Sequence, residues 1–388
     1  KNLGDLKEAE LLQRKAIKLN PDLAEAHSNL GNILKDLGKL KDSELSYRKA
    51  IELKPDFVEA HSNLGIILTE LGNLKEAELS TRKAIELKPN LAEAYSHLGS
   101  ILKDLGNRKD AIKHWSEAVR LKPEIESNVK QLAIYLCYEK EYELALKYLS
   151  KNQSESCQTF YLGCLLSLDR KEEFDKKYHQ LLKKNVCNAD IGGISEHANM
   201  IYTKTYDSPF CNKTVEYVVC SKIDKDSFSD IHLSQLINHL KSEKTTMKKQ
   251  GTLHKGVQTS GNLFSLDYPF IKAMKKALEM KIEQYKQKFK NSEQGFIKNW
   301  PENHELRSWM ISMKSGGFLK PHNHEYGWIT GSFYLQIPKY NNNNNKHSGN
   351  LAFSYKGPRY PNKGKDFNLT IKKIETRDIC IFPSSLFH

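Results

Sequence analysis

A period of 34 residues runs through the first third of the chain and restricts what it can fold into more than any other feature. Pro21, Pro55, Pro89 and Pro123 keep this spacing, as do Gly31, Gly65 and Gly99, and Gly38, Gly72 and Gly106. A fixed period of this size marks a supersecondary unit that cannot bury its apolar face alone and so stacks on copies of itself. Small residues fall where two helices of a unit must touch: Gly31 on the first helix, and Ala50, Ala84 and Ala118 on the second. Leu30, Leu64 and Leu98 fill the seam beside them. Each proline ends the second helix, because it cannot continue the backbone hydrogen-bond ladder.

These units resemble tetratricopeptide repeats, and the resemblance covers residues 1–122. A looser helical pattern follows through Leu132, Leu144, Leu162 and Leu166, so residues 123–184 read as degenerate repeats or a cap over the exposed end of the stack. The residue before each seam leucine is Asn29, Asn63 and then His97. In arrays similar to that of O-linked GlcNAc transferase, asparagines at this position line an inner groove and bond an extended peptide. The resemblance therefore implies a peptide-binding groove at Asn29, Asn63 and His97, and a protein or peptide partner. A carboxamide suits the task because it offers both a donor and an acceptor. His97 breaks the asparagine pattern. A simply solvated inner face is the other reading, and self-association is the other use of such a stack.

Composition limits the remaining classes. Hydrophobic residues make up 39% and charged residues 28% of the 388, as in a globular protein, and no apolar run is long enough to span a membrane. The net charge of +13 invites a nucleic-acid reading. Yet the lysines of the repeats alternate with acidic residues as on solvated helix faces, and an AT-rich genome gives the same surplus, so no nucleic-acid partner is expected. The seven cysteines show no C-x-x-C pair, which points to reduced thiols in a cytoplasm. The chain starts within a repeat and stops abruptly at Phe387-His388, which reads as a fragment missing sequence at both ends.

The helical period lapses over 185–213, where Gly192-Gly193 and Ser208-Pro209 punctuate a linker. Residues 214–388 then form a second domain. Within it, Thr214–Val219 reads as a strand, and Ser229–Lys241 and Pro269–Lys288 read as helices. Ser308–Met313 reads as a strand, Lys314–Gly317 as a turn, and 331–338 and 349–353 as further strands around a polar insertion at Asn341–Asn345. Asp378–Pro383 is the last strand. Short strands at this spacing suggest a sandwich or jelly roll, so the fold class is multidomain: an all-α repeat superhelix, then a mainly-β domain with flanking helices.

His322 and His324 flank one residue and, on a strand, point to the same side. His388, at the end of an apolar strand, is placed to be a third ligand. Imidazole ligands with open positions suit non-haem Fe(II).

Four motifs in residues 251–388 resemble Fe(II)/2-oxoglutarate oxygenases of the prolyl-hydroxylase-like double-stranded β-helix type, most closely a bacterial group that often follows tetratricopeptide arrays. They are Gly-Phe-Leu-x-Pro-His-x-His, Trp-x-x-Gly-Ser-x-Tyr-Leu, Gly-x-Leu-x-Phe and Phe-Pro-Ser-x-x-x-His. The resemblance implies Fe(II), 2-oxoglutarate and O2, with hydroxylation of a protein, peptide or small molecule. It makes His322 and His388 metal ligands. His324 stands where most of the superfamily has a carboxylate, so either His324 or the adjacent Glu325 completes the set. Tyr334 falls where related enzymes hold the 2-oxoglutarate tail, and Trp328 and Ser332 can line the same pocket. The family's basic residue for the distal carboxylate lies beyond the second histidine, which leaves Arg307 as a substitute. Two other readings stay open: a tetratricopeptide scaffold whose jelly roll is degenerate and non-catalytic, and a cupin-like dioxygenase with three histidines.

Overall fold

The computed structural model describes residues 3–202, 204–242, 247–248, 252–259, 261–324, 327–337 and 349–388. Its contacts divide the chain into two compact units, Lys1–Cys157 and Gln158–His388.

The first unit is a stack of helical hairpins. Its helices are α1 (Leu3–Leu19), α2 (Ala24–Asp36), α3 (Leu40–Leu53), α4 (Val58–Glu70), α5 (Leu74–Leu87), α6 (Ala92–Asp104), α7 (Arg108–Leu121), α8 (Glu126–Tyr138) and α9 (Tyr142–Leu149). Each repeat closes its first helix in the same way. Gly38, Gly72 and Gly106 sit at φ +75°, +83° and +88°. In the first of them the Gly38 amide donates to the Lys35 carbonyl and the Lys39 amide to the Leu34 carbonyl. This pair of hydrogen bonds satisfies two of the last carbonyls of α2, and glycine is the residue that takes the left-handed turn without cost. The seam glycines have a different task. A Cβ on Gly31 would lie 2.8 Å from the Tyr47 ring, and one on Gly99 2.7 Å from Trp115 Nε1. The missing side chain is what lets a large aromatic of the second helix lie flat on the first.

The second unit begins in α10 (Glu155–Ser167), which crosses the division, and continues with α11 (Lys171–Lys183) and α12 (Ala189–Tyr202). Then follow β1 (Val219–Lys222), α13 (Asp230–Lys241), β2 (Met247–Lys248), β3 (Leu253–Thr259), α14 (Pro269–Lys288) and α15 (Gly295–Lys298). The remaining strands are β4 (Ile311–Leu319), β5 (Ile329–Phe333), β6 (Leu351–Phe353), β7 (Thr370–Lys372) and β8 (Asp378–Pro383). They pair antiparallel in the orders β1-β8-β5, β2-β3-β4 and β6-β7. Ile379 and Ile381 of β8, Ile329 and Phe333 of β5, and Met310 just before β4 pack into a core with Leu236 and Leu240 of α13 and Ile271 and Met274 of α14. The β1-β8-β5 sheet and the start of β4 therefore have one face closed by helices, and the residues between these positions point to the other.

The chain thus joins stacked helical hairpins to small antiparallel sheets backed by helices. Several local expectations are corrected. The stretch around Gly192-Gly193 is not a linker but α12, almost wholly buried. The two glycines are there for close approach: a Cβ on Gly192 would lie 2.9 Å from Ser385 Cβ, and one on Gly193 2.9 Å from the Ser385 carbonyl. Thr214–Tyr217 is a 3-10 turn, and the strand starts only at Val219. The expected turn at 314–317 lies within β4, where a register irregularity opposite His254 and Gly256 takes up the extra residues. Two cysteines are not free thiols: Cys220 and Cys380 face each other across the β1–β8 pair and are joined as a disulfide. The Asn341–Asn345 insertion lies outside the described residues. No helix among the described residues is long and apolar enough to cross a membrane.

Candidate metal centre

The backbone itself brings His322 and His388 together. The His322 amide donates to the His388 carbonyl at 3.2 Å, and the His388 amide returns a bond to the His322 carbonyl at 3.0 Å. Residues that exchange both bonds across an antiparallel pair carry their side chains on the same side. The His324 amide donates to the Ser384 carbonyl at 3.2 Å, which ties the third histidine to the same returning segment. One ring nitrogen from each of His322, His324 and His388 lies within 4.8 Å of the others. The ring centroids are 4.5 Å (His322–His388), 5.0 Å (His322–His324) and 5.3 Å (His324–His388) apart.

Two rings are oriented from behind. His322 Nδ1 lies 3.0 Å from the Lys320 carbonyl, and His388 Nδ1 lies 3.4 Å from that of Leu386. A carbonyl only accepts, so in each case Nδ1 carries the proton and Nε2 is left with its lone pair. That is the usual way a protein fixes the tautomer of a ligating imidazole. Burial holds His322 below the ordinary imidazole range. Burial, and then the neighbouring His322, hold His324 at about 4. Burial, followed by the other two histidines, holds His388 at about 3. All three are neutral near pH 7, the form in which imidazole binds a metal. Three imidazole nitrogens at this separation fit a divalent transition-metal ion, iron included.

Helix α12 underlies this arrangement. Its paired glycines let the segment 384–388 lie against the helix, and this segment ends in His388 and supplies the carbonyl that holds His324. Phe382 of β8 packs on the His388 ring at 4.8 Å. Thr330 is the register partner of Phe382, and its hydroxyl lies 2.9 Å from that of Ser384. Trp309 meets the His324 ring at 5.5 Å. Sequence reasoning missed the roles of α12 and Trp309. The signal for α12 was a glycine pair set between Ile191 and Ile194, which marks a helix that something must approach closely.

The other expected residues divide. Ser332 and Tyr334 alternate with Ile329 and Phe333 and so share the face of β5 that carries Thr330, on the side of the histidines. Burial pushes the Tyr334 phenol up to about 12. Trp328 does not line this side: its Nε1 donates to the Phe296 carbonyl at 2.6 Å and its ring packs edge-on against Phe210 in the helix-backed core. Arg307 is exposed and pairs with Glu305 at 2.9 Å. Glu325 lies outside the described residues.

In the first unit, Asn29, Asn63 and His97 occupy equivalent positions on α2, α4 and α6. Asn29 is exposed. Asn63 Nδ2 donates to Asn32 Oδ1 of the preceding repeat at 3.3 Å, and His97 Nε2 meets the Thr69 hydroxyl at 3.3 Å. Burial holds His97 at about 4, so it too is neutral.

Comparison with known families agrees with both halves. The family described as "Putative 2OG-Fe(II) oxygenase" matches residues 307–388. Tetratricopeptide-repeat families match residues 1–23, 31–72, 58–91 and 92–125. The chain therefore carries tetratricopeptide repeats towards its start and, over 307–388, a segment similar to the family described as "Putative 2OG-Fe(II) oxygenase". No curated protein matches it. Solved structures similar to part of the chain include MamA, at 25% identity over 38% of this chain and 86% of that one, with a TM-score of 0.36. PilF of Pseudomonas aeruginosa matches at 21% identity over 46% of this chain and 84% of its own, with a TM-score of 0.40. YrrB, titled a TPR protein with an unusual peptide-binding site, matches at 20% identity over 44% and 91%, with a TM-score of 0.38.

Proposed function

We propose that this protein is an Fe(II)- and 2-oxoglutarate-dependent oxygenase that hydroxylates a protein or peptide, with the repeats engaging that substrate or a partner. The observation that carries the reading is the convergence of three neutral imidazoles within a segment matched by the oxygenase family. The antiparallel pairs, together with the reciprocal bonds between His322 and His388, support a jelly-roll arrangement around them.

His322, His324 and His388 would hold the iron, which when bound supplies the oxidising chemistry that 2-oxoglutarate and O2 require. Three neutral ligands leave a divalent ion its full charge, whereas a carboxylate would cancel half of it. The histidine set therefore favours an anionic, chelating oxo acid in the open positions. Tyr334 stays protonated at all ordinary pH, so its hydroxyl and that of Ser332 can donate to a carboxylate. Trp328 and Arg307 have no part in this reading. The repeats offer a polar line of Asn29, Asn63 and His97 to an extended peptide.

The test is Fe(II)-dependent conversion of 2-oxoglutarate to succinate. The full chain is expected to form succinate, and a His322→Ala chain to form none. Equal rates in both, or no succinate from either, would remove the proposal. A second reading rests on one specific feature: the third member of the cluster is an imidazole, and no carboxylate joins it among the described residues. That set also suits a dioxygenase without a cosubstrate. Oxygen consumption that requires the metal but not 2-oxoglutarate would favour it.

A further inference from the structure

The strand pair that brings Trp309 to the histidines carries further side chains on the same side. Gln258 of β3 is the register partner of Ile311 of β4, so the two side chains share a face. Met310, the neighbour of Ile311, packs into the helix-backed core. Gln258 and Ile311 therefore look the other way, as does Trp309 two residues before Ile311. That is the side on which the Trp309 indole meets the His324 ring at 5.5 Å.

Two features of this surface are unusual. Gln258 Oε1 is shielded from solvent and has no hydrogen-bond partner among the described residues. A shielded acceptor left without a donor is unfavourable, so it marks a place that a donor from outside the chain can fill. Trp309 is 40% exposed although its ring stands against the half-buried His324 imidazole. An indole next to a metal-ligand candidate and open on its other side offers a flat platform for C–H groups.

We infer that Gln258 and Trp309 form the substrate wall of this site and that what they receive is a polypeptide. The inference rests on the oxygenase reading above. A carboxamide meets a peptide unit well whichever way round it sits, because each brings one donor and one acceptor. The indole then carries the side chain whose C–H bond faces the metal. A chain that also contains tetratricopeptide repeats, a module that binds polypeptides, would meet such a substrate in the same form at both places. Gln258 is in this account a specificity residue: it holds the substrate and does not touch the metal.

The experiment uses the full chain with Fe(II), 2-oxoglutarate, O2 and a random-sequence peptide library. It follows 2-oxoglutarate consumption and the gain of oxygen by peptides in the mass spectrum. The library should accelerate consumption and yield oxygenated peptides. Gln258→Leu should raise the peptide KM about ten-fold, the loss of one hydrogen bond, without raising the KM for 2-oxoglutarate. Gln258→Glu keeps an acceptor oxygen and should recover most of the peptide affinity. Trp309→Ala should raise the peptide KM as well, and cobalt(II) binding by each variant shows that the histidine site has folded. Consumption of 2-oxoglutarate that ignores the library would overturn the polypeptide assignment and leave the oxygenase reading standing. A Gln258→Leu chain with a raised KM for 2-oxoglutarate would put the carboxamide on the cosubstrate instead, and unchanged values for both would make it structural. A chain that never consumes 2-oxoglutarate would overturn the oxygenase reading and this inference with it.

Discussion

A methyl group at Gly99 would sit 2.7 Å from Trp115 Nε1, whose hydrogen is already committed to the Ser96 carbonyl at 3.0 Å. Neither the ring nor the helix can give way cheaply, so Gly99→Ala should cost about 1–3 kcal/mol. A thermal melt of the variant is expected to show the loss in the repeat unit, and an unchanged melt would mean that the seam is looser than described. Glu196 shows a different single-residue effect. Its carboxylate is buried, with the Thr214 amide and hydroxyl as its donors. Burial raises it from 4.5 to about 7 against the pull of these bonds. Between those values the folded chain holds a proton that the unfolded chain has released. This contribution to stability is therefore fully present below pH 4.5 and is lost as the pH rises through 7. Glu196→Gln should flatten the pH dependence of denaturant stability across that window, and an unchanged slope would show that another group causes it.

At the scale of elements, α12 and the returning segment 384–388 work as a pair. Gly193→Ala would push on the Ser385 carbonyl at 2.9 Å and so on a segment whose two ends fix His324 and His388. The expected result is weaker cobalt(II) binding, by ten-fold or more, with the far-ultraviolet circular dichroism retained. The β1–β8 pair makes a second prediction. With Cys220 and Cys380 joined, thiol titration in denaturant without reductant should find the five remaining cysteines and not seven.

What the sequence revealed follows from how local each feature is. The repeats were legible because each carries its own instructions: a left-handed glycine, a seam glycine and a closing proline at every 34 residues. The histidines were legible because His-x-His alternation and the Phe-Pro-Ser-x-x-x-His spacing are short. Missing from that reading were contacts between distant segments. Gly192-Gly193 looked like chain punctuation because Ser385, nearly two hundred residues on, is what requires them. Trp328 looked like a pocket residue because nothing nearby in sequence announces the Phe296 carbonyl that captures its indole. The cysteine pair, 160 residues apart, had no spacing to betray it.

At the scale of the molecule, the chain is two compact units with distinct chemistries, and the histidines belong wholly to the second. A ligand that binds only folded protein stabilises only the unit that holds it. Calorimetry of the full chain should therefore show cobalt(II) raising one unfolding transition and leaving that of the repeats in place. A His322→Ala chain should show no such rise. The most direct test of the account is an anaerobic titration of the full chain with Fe(II), with and without 2-oxoglutarate, followed through the weak visible charge-transfer absorption of an iron-bound oxo acid. A saturable band that requires 2-oxoglutarate and vanishes in His322→Ala is the expected result. Iron that fails to bind, or a band that persists without His322, would contradict it.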